Sequence, residues 1–237
     1  MALAGRRRLR VGGVVPYSTV DFPGRVSTVV FVQGCPWRCG YCHNPHLQPR
    51  SGRDTGWASV RSLLARRRGL VDAVVFSGGE PTSDPALVPA IKEVREQGFA
   101  AGLHTAGIYP PRLERALREV DWVGIDVKAP FERYAAVTGV AGSGVAARKS
   151  LQAVLDADCA YEVRMTLHPA LATAGDVREL AGSLVAMGVR HFALQRFRSR
   201  GCANPAMRTG ARAWEPDAAL LAELTAAFPS FTYRDAA

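Results

Sequence analysis

Short apolar runs alternate along this chain with longer stretches in which apolar residues recur every three or four positions. Residues 11–15 and 26–32 are β-like runs separated by Pro16, Pro23 and Gly24, a pattern that predicts a hairpin leading into a first inner strand. Further short apolar runs at 73–76, 100–104, 122–127, 161–167 and 191–195 predict strands, and 231–233 offers an edge strand. Between them lie helical patterns. Residues 57–68 put Val60, Leu63 and Leu64 on one face, and 85–97 do the same with Leu87, Ile91 and Val94. Residues 112–119, 131–137, 145–157, 176–187 and 218–227 complete the helices. Gly139-Val140-Ala141-Gly142-Ser143-Gly144 matches no phosphate-binding fingerprint and reads as a linker or mobile loop.

Strands alternating with helices imply βαβ units and a parallel sheet. About six strand–helix pairs can be counted, where a full (β/α)8 barrel needs eight and typically ~250 residues. The expected fold is therefore α/β, an open (β/α)6 partial TIM barrel with a parallel sheet. The 237 residues are read as a single domain, with 1–28 as an N-terminal extension, 29–197 as the barrel core and 198–237 as a tail carrying a helix. An open side leaves room for a macromolecular substrate.

Composition narrows the setting. With 48% hydrophobic residues the chain can fill one core, yet it has no apolar run long enough for a spanning helix. Arg6, Arg7, Arg8 and Arg10 are followed by a short, broken apolar stretch rather than a signal-peptide core, so a cytoplasmic location without membrane contact is expected. The net charge of +9 suits acidic partners, but it is dispersed, and Arg66-Arg67-Arg68 reads as the close of a helix before Gly69. A nucleic-acid partner is not expected. Of the five cysteines, three are clustered; Cys159 is read as a buried apolar residue and Cys202 as a surface thiol in a polar loop.

The clustered cysteines, Cys35, Cys39 and Cys42, are spaced C-x3-C-x2-C just after the 29–32 strand run. Thiolates so close together share a metal or repel one another. A closed zinc site or an ordinary cubane takes four protein ligands. Three thiolates can instead hold three irons of a [4Fe-4S] cluster and leave the fourth iron open. Zinc held by the three cysteines with His43 or His46 is the alternative, and with the positive charge it would describe a Cys3His nucleic-acid-binding module.

Binding sites in parallel α/β folds gather at the C-terminal ends of strands. Here those ends carry the cysteine loop, Ser77-Gly78-Gly79-Glu80, His104 with Thr105, Asp126 with Lys128, Arg164 with Thr166, and Gln195 with Arg196. Gly78 and Gly79 would let backbone approach a ligand closely. Asp126 and Lys128 share one side of a strand, as do Glu162, Arg164 and Thr166. An internal ion-pair network is the plain reading of those charges.

The cysteine spacing, with Tyr41 before the third thiol, resembles the signature of radical S-adenosylmethionine (SAM) enzymes. Val20-Asp21-Phe22-Pro23-Gly24-Arg25 and Cys42-His43-Asn44-Pro45 narrow the resemblance to the activating enzymes of glycyl radical proteins, and most closely to the activating proteins of anaerobic ribonucleoside-triphosphate reductase. The similarity runs from about Val14 to Phe197. It implies an open barrel in which Cys35, Cys39 and Cys42 hold a [4Fe-4S] cluster. SAM is cleaved there to a 5′-deoxyadenosyl radical that abstracts hydrogen from a partner's glycine. It implies that Gly78, Gly79 and Glu80 meet the SAM amino group and that Tyr41 lies beside the adenine. His43 and Asn44 would shape the pocket, with Thr105, Asp126, Lys128 and Arg164 near SAM. Its implied partners are a glycyl radical enzyme, the anaerobic ribonucleotide reductase, and a flavodoxin-like electron donor. A radical SAM enzyme acting on a small molecule, as a deazaguanine synthase does, or on another glycyl radical enzyme, is the nearest rival. One departure stands out. Relatives of the pyruvate formate-lyase activase carry an aspartate in L-D-T-N-G that helps bind a monovalent cation, whereas this chain has Leu103-His104-Thr105-Ala106-Gly107.

Overall fold

The computed structural model describes residues 8–209 and 215–235; Arg6 and Arg7 of the N-terminal basic run lie outside them. Eight strands form one sheet in chain order: β1 (Val11–Ser18), β2 (Ser27–Val32), β3 (Ala73–Gly78), β4 (Ala100–Thr105), β5 (Trp122–Asp126), β6 (Ala160–Leu167), β7 (His191–Arg196) and β8 (Ser230–Arg234). β1 runs antiparallel to β2, and every later neighbour is parallel. The helices are α1 (Trp57–Ala65), α2 (Leu87–Glu96), α3 (Pro110–Leu117), α4 (Tyr134–Thr138), α5 (Ser143–Leu155), α6 (Ala174–Ala186), α7 (Pro205–Arg208) and α8 (Ala218–Ala227). The hairpin and the six inner strands are where the apolar runs predict them, and the 231–233 run becomes a seventh parallel strand beside β7. No described helix is long and apolar enough to cross a membrane.

Strand alternation divides the side chains between two faces. Val30, Val74, Phe76, Leu103, Ile125, Val163, Met165 and Leu194 join the helices in the main core. The other face carries a small separate cluster of Val29, Ala73, Val75 and Trp122. Its centre is Phe22, contributed not by a strand but by the Asp21-Phe22-Pro23-Gly24 connection between β1 and β2. Phe22 tilts against Trp122 with ring centroids 5.5 Å apart. The chain thus fills the floor of its own open barrel.

Some expectations change. Residues 139–144 are not a mobile linker. Gly139 ends α4 in the left-handed region, and Ser143 and Gly144 are buried in the first turn of α5. A Cβ on Gly144 would stand 1.8 Å from the Phe131 carbonyl oxygen, so only glycine lets the two segments close. Cys202 is not a surface thiol but 4% exposed, because its polar-looking segment folds back onto the cysteine loop. Cys159 is only half-buried, standing at the entry to β6. Helix α1 ends at Ala65, so Arg66 caps it and Arg67 and Arg68 fall in the turn beyond.

Candidate active site at the strand C-termini

The loop that follows β2 is fixed by its backbone. Gly34 and Cys35 donate to the Leu47 and Gln48 carbonyls at 2.7 and 3.0 Å. Gly79 donates to Val32 O at 2.9 Å, and Glu80 N to Gly34 O at 2.8 Å, joining the end of β3 to the start of the loop. From the other side Arg38 N reaches Thr138 O at 2.9 Å and Gly40 N reaches Val137 O at 3.4 Å, so the end of α4 clamps the loop's middle. Trp37 packs edge-on against Tyr134 beneath it.

Gly78 and Gly79 are required by this interlock. Gly78 has φ +124, and a Cβ there would lie 2.4 Å from Val32 N; one on Gly79 would lie 2.7 Å from Gly34 O. What approaches these glycines closely is neighbouring backbone. Glu80 is fully buried. Its Oε1 accepts from Thr82 N (3.0 Å), Thr82 Oγ1 (2.6 Å) and Thr105 Oγ1 (2.7 Å), and its Oε2 from Ala106 N (2.8 Å). Burial pushes its carboxyl up from the ordinary value, and these four donors pull it back. Glu80 therefore staples the ends of β3 and β4, with Thr105 as one of its donors.

The three thiols are half-buried. Burial pushes Cys35 up to about 12, with the nearby Glu80 carboxylate adding to the rise, and burial raises Cys39 as well. Thiols in such a place ionise when a cation shares them. Among the described residues no three cysteine, histidine or carboxylate side chains converge as a finished metal set. His43 is committed elsewhere. Its Nε2 is 2.8 Å from Arg198 O, and its ring stacks on Phe197 at 5.3 Å. His46 points to solvent on the turn that Asn44 begins, and Asn44 makes no side-chain cap there. The donors that share the loop are the three sulfurs, a set suited to iron and sulfide.

Asp126 and Lys128 meet at this rim, Nζ to Oδ2 at 3.1 Å. Burial opposes the Lys128 charge most strongly, but Asp126 together with Tyr41, Cys39 and Tyr134 holds the ammonium well above its ordinary range. Lys128 Nζ lies 5.7 Å from the centre of the Tyr41 ring, whose hydroxyl is buried without a hydrogen-bond partner. An orphaned polar atom beside a fixed cation is a place for a polar ligand group.

Arg164 belongs to a different constellation, deeper in the barrel. Its Nε bonds Glu162 Oε1 at 2.7 Å, its Nη1 lies 3.3 Å from His104 Nε2, and its guanidinium covers Trp122 at 4.9 Å. Arg234 of β8 grips both Glu162 oxygens at 2.8 and 2.7 Å. His104 Nε2 is 2.9 Å from Asp21 O, which ties the network to the Asp21–Gly24 connection. Burial, then the Arg164 charge, lowers His104 to about 4, so it is neutral at pH 7. For Glu162 burial opposes ionisation, but the Arg234 and Arg164 bonds outweigh it and hold the carboxyl below its ordinary 4.5. A depressed carboxylate stabilises the fold above pH 4.5 and loses that contribution as the pH falls through its lowered folded value. Glu162→Gln is expected to remove about 3 kcal/mol at pH 7, the lower end for a broken buried pair because Arg234 is partly exposed. Urea unfolding at a series of pH values would then show a flatter acid limb than the wild type.

The residues marked out from sequence fall into two groups: a rim of cysteine loop, glycine turn, Tyr41, Asp126 and Lys128, and the deeper Arg164 network. Sequence reasoning missed Thr82, the plug formed by Phe22, and the segment after β7 that covers the loop. An Asn204-Pro205 pair, a helix-start signal, was the available cue to the last.

Comparison with known proteins agrees with this geometry. The pattern of the Radical SAM superfamily matches residues 29–192. A Methanocaldococcus jannaschii protein named for glycyl-radical enzyme activation is 27% identical over 207 residues, 79% of each chain. The pyruvate formate-lyase-activating enzyme of Clostridium pasteurianum is 34% identical over 137 residues, 55% of this chain and 57% of that enzyme. Among solved structures, Streptococcus suis SuiB bound to its precursor peptide SuiA superposes with a TM-score of 0.65 at 14% identity, over 87% of this chain and 48% of SuiB. This chain thus spans about half of SuiB, and that likeness concerns the fold. With the partial barrel, the three-thiol loop and the matched pattern together, this chain is an enzyme that belongs to the radical SAM superfamily, with a [4Fe-4S] cluster and SAM as its cofactors.

Proposed function

We propose that this enzyme generates a glycyl radical on a partner protein, with an anaerobic class III ribonucleotide reductase as that partner. The observation that carries the reading is the plugged barrel. Phe22 occupies the floor over Trp122, and the Arg164 network lies above it, so the working site is a rim. A peptide segment presented by another protein can reach such a rim. The relatives named for activation of glycyl radical enzymes support the coarser part of this reading, a glycyl radical protein as partner; the choice of the reductase rests on the resemblance carried by the Asp21–Gly24 and Cys42–Pro45 strings.

In this proposal Cys35, Cys39 and Cys42 hold the cluster. Gly78, Gly79 and Glu80 shape the place of the SAM amino group, and Tyr41, His43, Asn44, Thr105, Asp126, Lys128 and Arg164 complete the surroundings. The bound cofactors supply a radical able to take hydrogen from a glycine Cα. The protein orients the reactants and excludes water. Lys128 stays charged through Asp126, and Glu80 keeps two strand ends in register. The chain's net charge of +9 suits an acidic flavodoxin-like reductant.

Mixing the reduced enzyme and SAM with candidate partners decides the matter by electron paramagnetic resonance. A glycyl doublet with the reductase, and none with pyruvate formate-lyase, is the expected result. The reverse would reassign the partner. SAM cleavage with no protein radical on either would favour a small-molecule substrate.

A further inference from the structure

Residues 197–209 leave β7 and return over the outside of the cysteine loop. Phe197 N bonds Leu167 O at 2.9 Å and anchors the start. The far end is held by His168. Its Nδ1 accepts from Ala170 N at 3.1 Å, so the ring proton sits on Nε2 and is donated to Met207 O at 2.7 Å. Between these anchors the segment touches the loop at Gly40, the residue joining Cys39 to Tyr41. Asn204 Nδ2 donates to Gly40 O at 3.3 Å, and the buried Cys202 thiol lies 3.9 Å from the same oxygen. Met207 Sδ packs where a Gly40 side chain would begin.

This contact fixes one peptide plane. The bond between Gly40 and Tyr41 is trans, so its carbonyl and its N–H point in opposite directions. With the carbonyl held by the covering segment, the Tyr41 N–H faces away from it, toward the loop's interior. Among the described residues that N–H makes no hydrogen bond. Unpaired buried N–H groups are rare in folded proteins. The adjacent Tyr41 hydroxyl is likewise buried and unpartnered.

We propose that Asn204, backed by Cys202, is a positioning residue for the iron–sulfur centre: by holding Gly40 O it presents the Tyr41 N–H to a sulfur of the bound cluster. Hydrogen bonds to cluster sulfurs are among the factors that set its reduction potential. A donor favours the reduced, more negative state, so losing it makes the cluster harder to reduce. The inference rests on superfamily membership and not on which partner is activated.

Asn204 also caps α7, with Oδ1 accepting from Ala206 N at 3.1 Å. The two roles can be separated. Asn204→Ala removes both. Asn204→Thr keeps an uncharged capping oxygen, but its hydroxyl is one bond too short to reach Gly40. The reconstituted full-length variants are titrated for midpoint potential by paramagnetic resonance of the reduced cluster. Both are expected to show about a tenfold smaller ratio of reduced to oxidised cluster at a fixed poise, equivalent to about 59 mV for one electron. Wild-type potentials in both would overturn the proposal. So would a shift in Asn204→Ala alone, since that would make the side chain a helix cap and nothing more. If Asn204→Ala fails to fold, the potential of the capped Asn204→Thr protein decides alone: a lowered value supports the role, and a wild-type value overturns it.

Discussion

Replacing Cys35, Cys39 or Cys42 by alanine, one at a time, is expected to bring 5′-deoxyadenosine formation from SAM and dithionite below about one-hundredth of wild type. Changes to residues that merely support a metal ligand cost 10–100-fold, so loss of a ligand itself should exceed that range. The fold should survive. The loop is held by main-chain bonds of Gly34, Cys35, Arg38 and Gly40 to three other segments, and none of these uses a sulfur. The apoproteins are therefore expected to melt near the wild-type temperature while failing to take up iron and sulfide. Cys159→Ala is the control. This thiol stands at the entry to β6, away from the cysteine loop, and its loss should leave cleavage intact. Full cleavage by any of the three loop variants would remove that thiol from the ligand set.

The legibility of this protein in its sequence followed the range of the forces involved. Strand–helix alternation depends on local periodicity, so β2 to β7 and their helices could be read directly. The cysteine spacing was equally local, since one loop carries all three sulfurs. What could not be read was contact between distant segments. Gly139–Gly144 looked like a linker because glycine-rich strings often are. Here Gly144 is demanded by close approach to Phe131, and Gly139 and Gly142 by backbone φ of +69 and +72. Cys202 looked like a surface thiol in a polar loop, and only the return of the chain over Gly40 buries it. Glu162, Arg164 and Arg234 illustrate the same limit. Their alternation placed the first two on one face, but nothing local announced that β8 would supply the third member. The Asp21-Phe22-Pro23-Gly24 string served as a family mark in sequence; in the fold it is a plug bonded to His104.

Gly78→Ala should be among the most damaging conservative changes outside the cysteines, because two independent penalties meet there. The backbone has φ +124, where an L-residue is strained by roughly 1–3 kcal/mol. The new methyl would also stand 2.4 Å from Val32 N and 2.5 Å from Val32 O. Those atoms are main chain within paired strands and cannot rotate aside as a side-chain tip could. Overpacking of this kind adds about 1–3 kcal/mol. The combined loss is about 4 kcal/mol, a large part of the stability of an ordinary domain. The damage should extend beyond stability, since the displaced turn also carries Gly79 N, which holds the end of β2 at Val32 O, and Glu80 N, which holds Gly34 O at the start of the cysteine loop. Cluster content per folded molecule is therefore expected to fall as well. Gly182→Ala provides the contrast: this exposed α6 position has nothing within 4 Å of a new methyl, so it should gain up to about 1 kcal/mol from helix propensity. Guanidinium unfolding of both variants, with iron counted per folded chain, tests the interlock. A Gly78→Ala protein as stable and as iron-rich as wild type would mean that the β3 turn does not hold the loop in the way its geometry indicates.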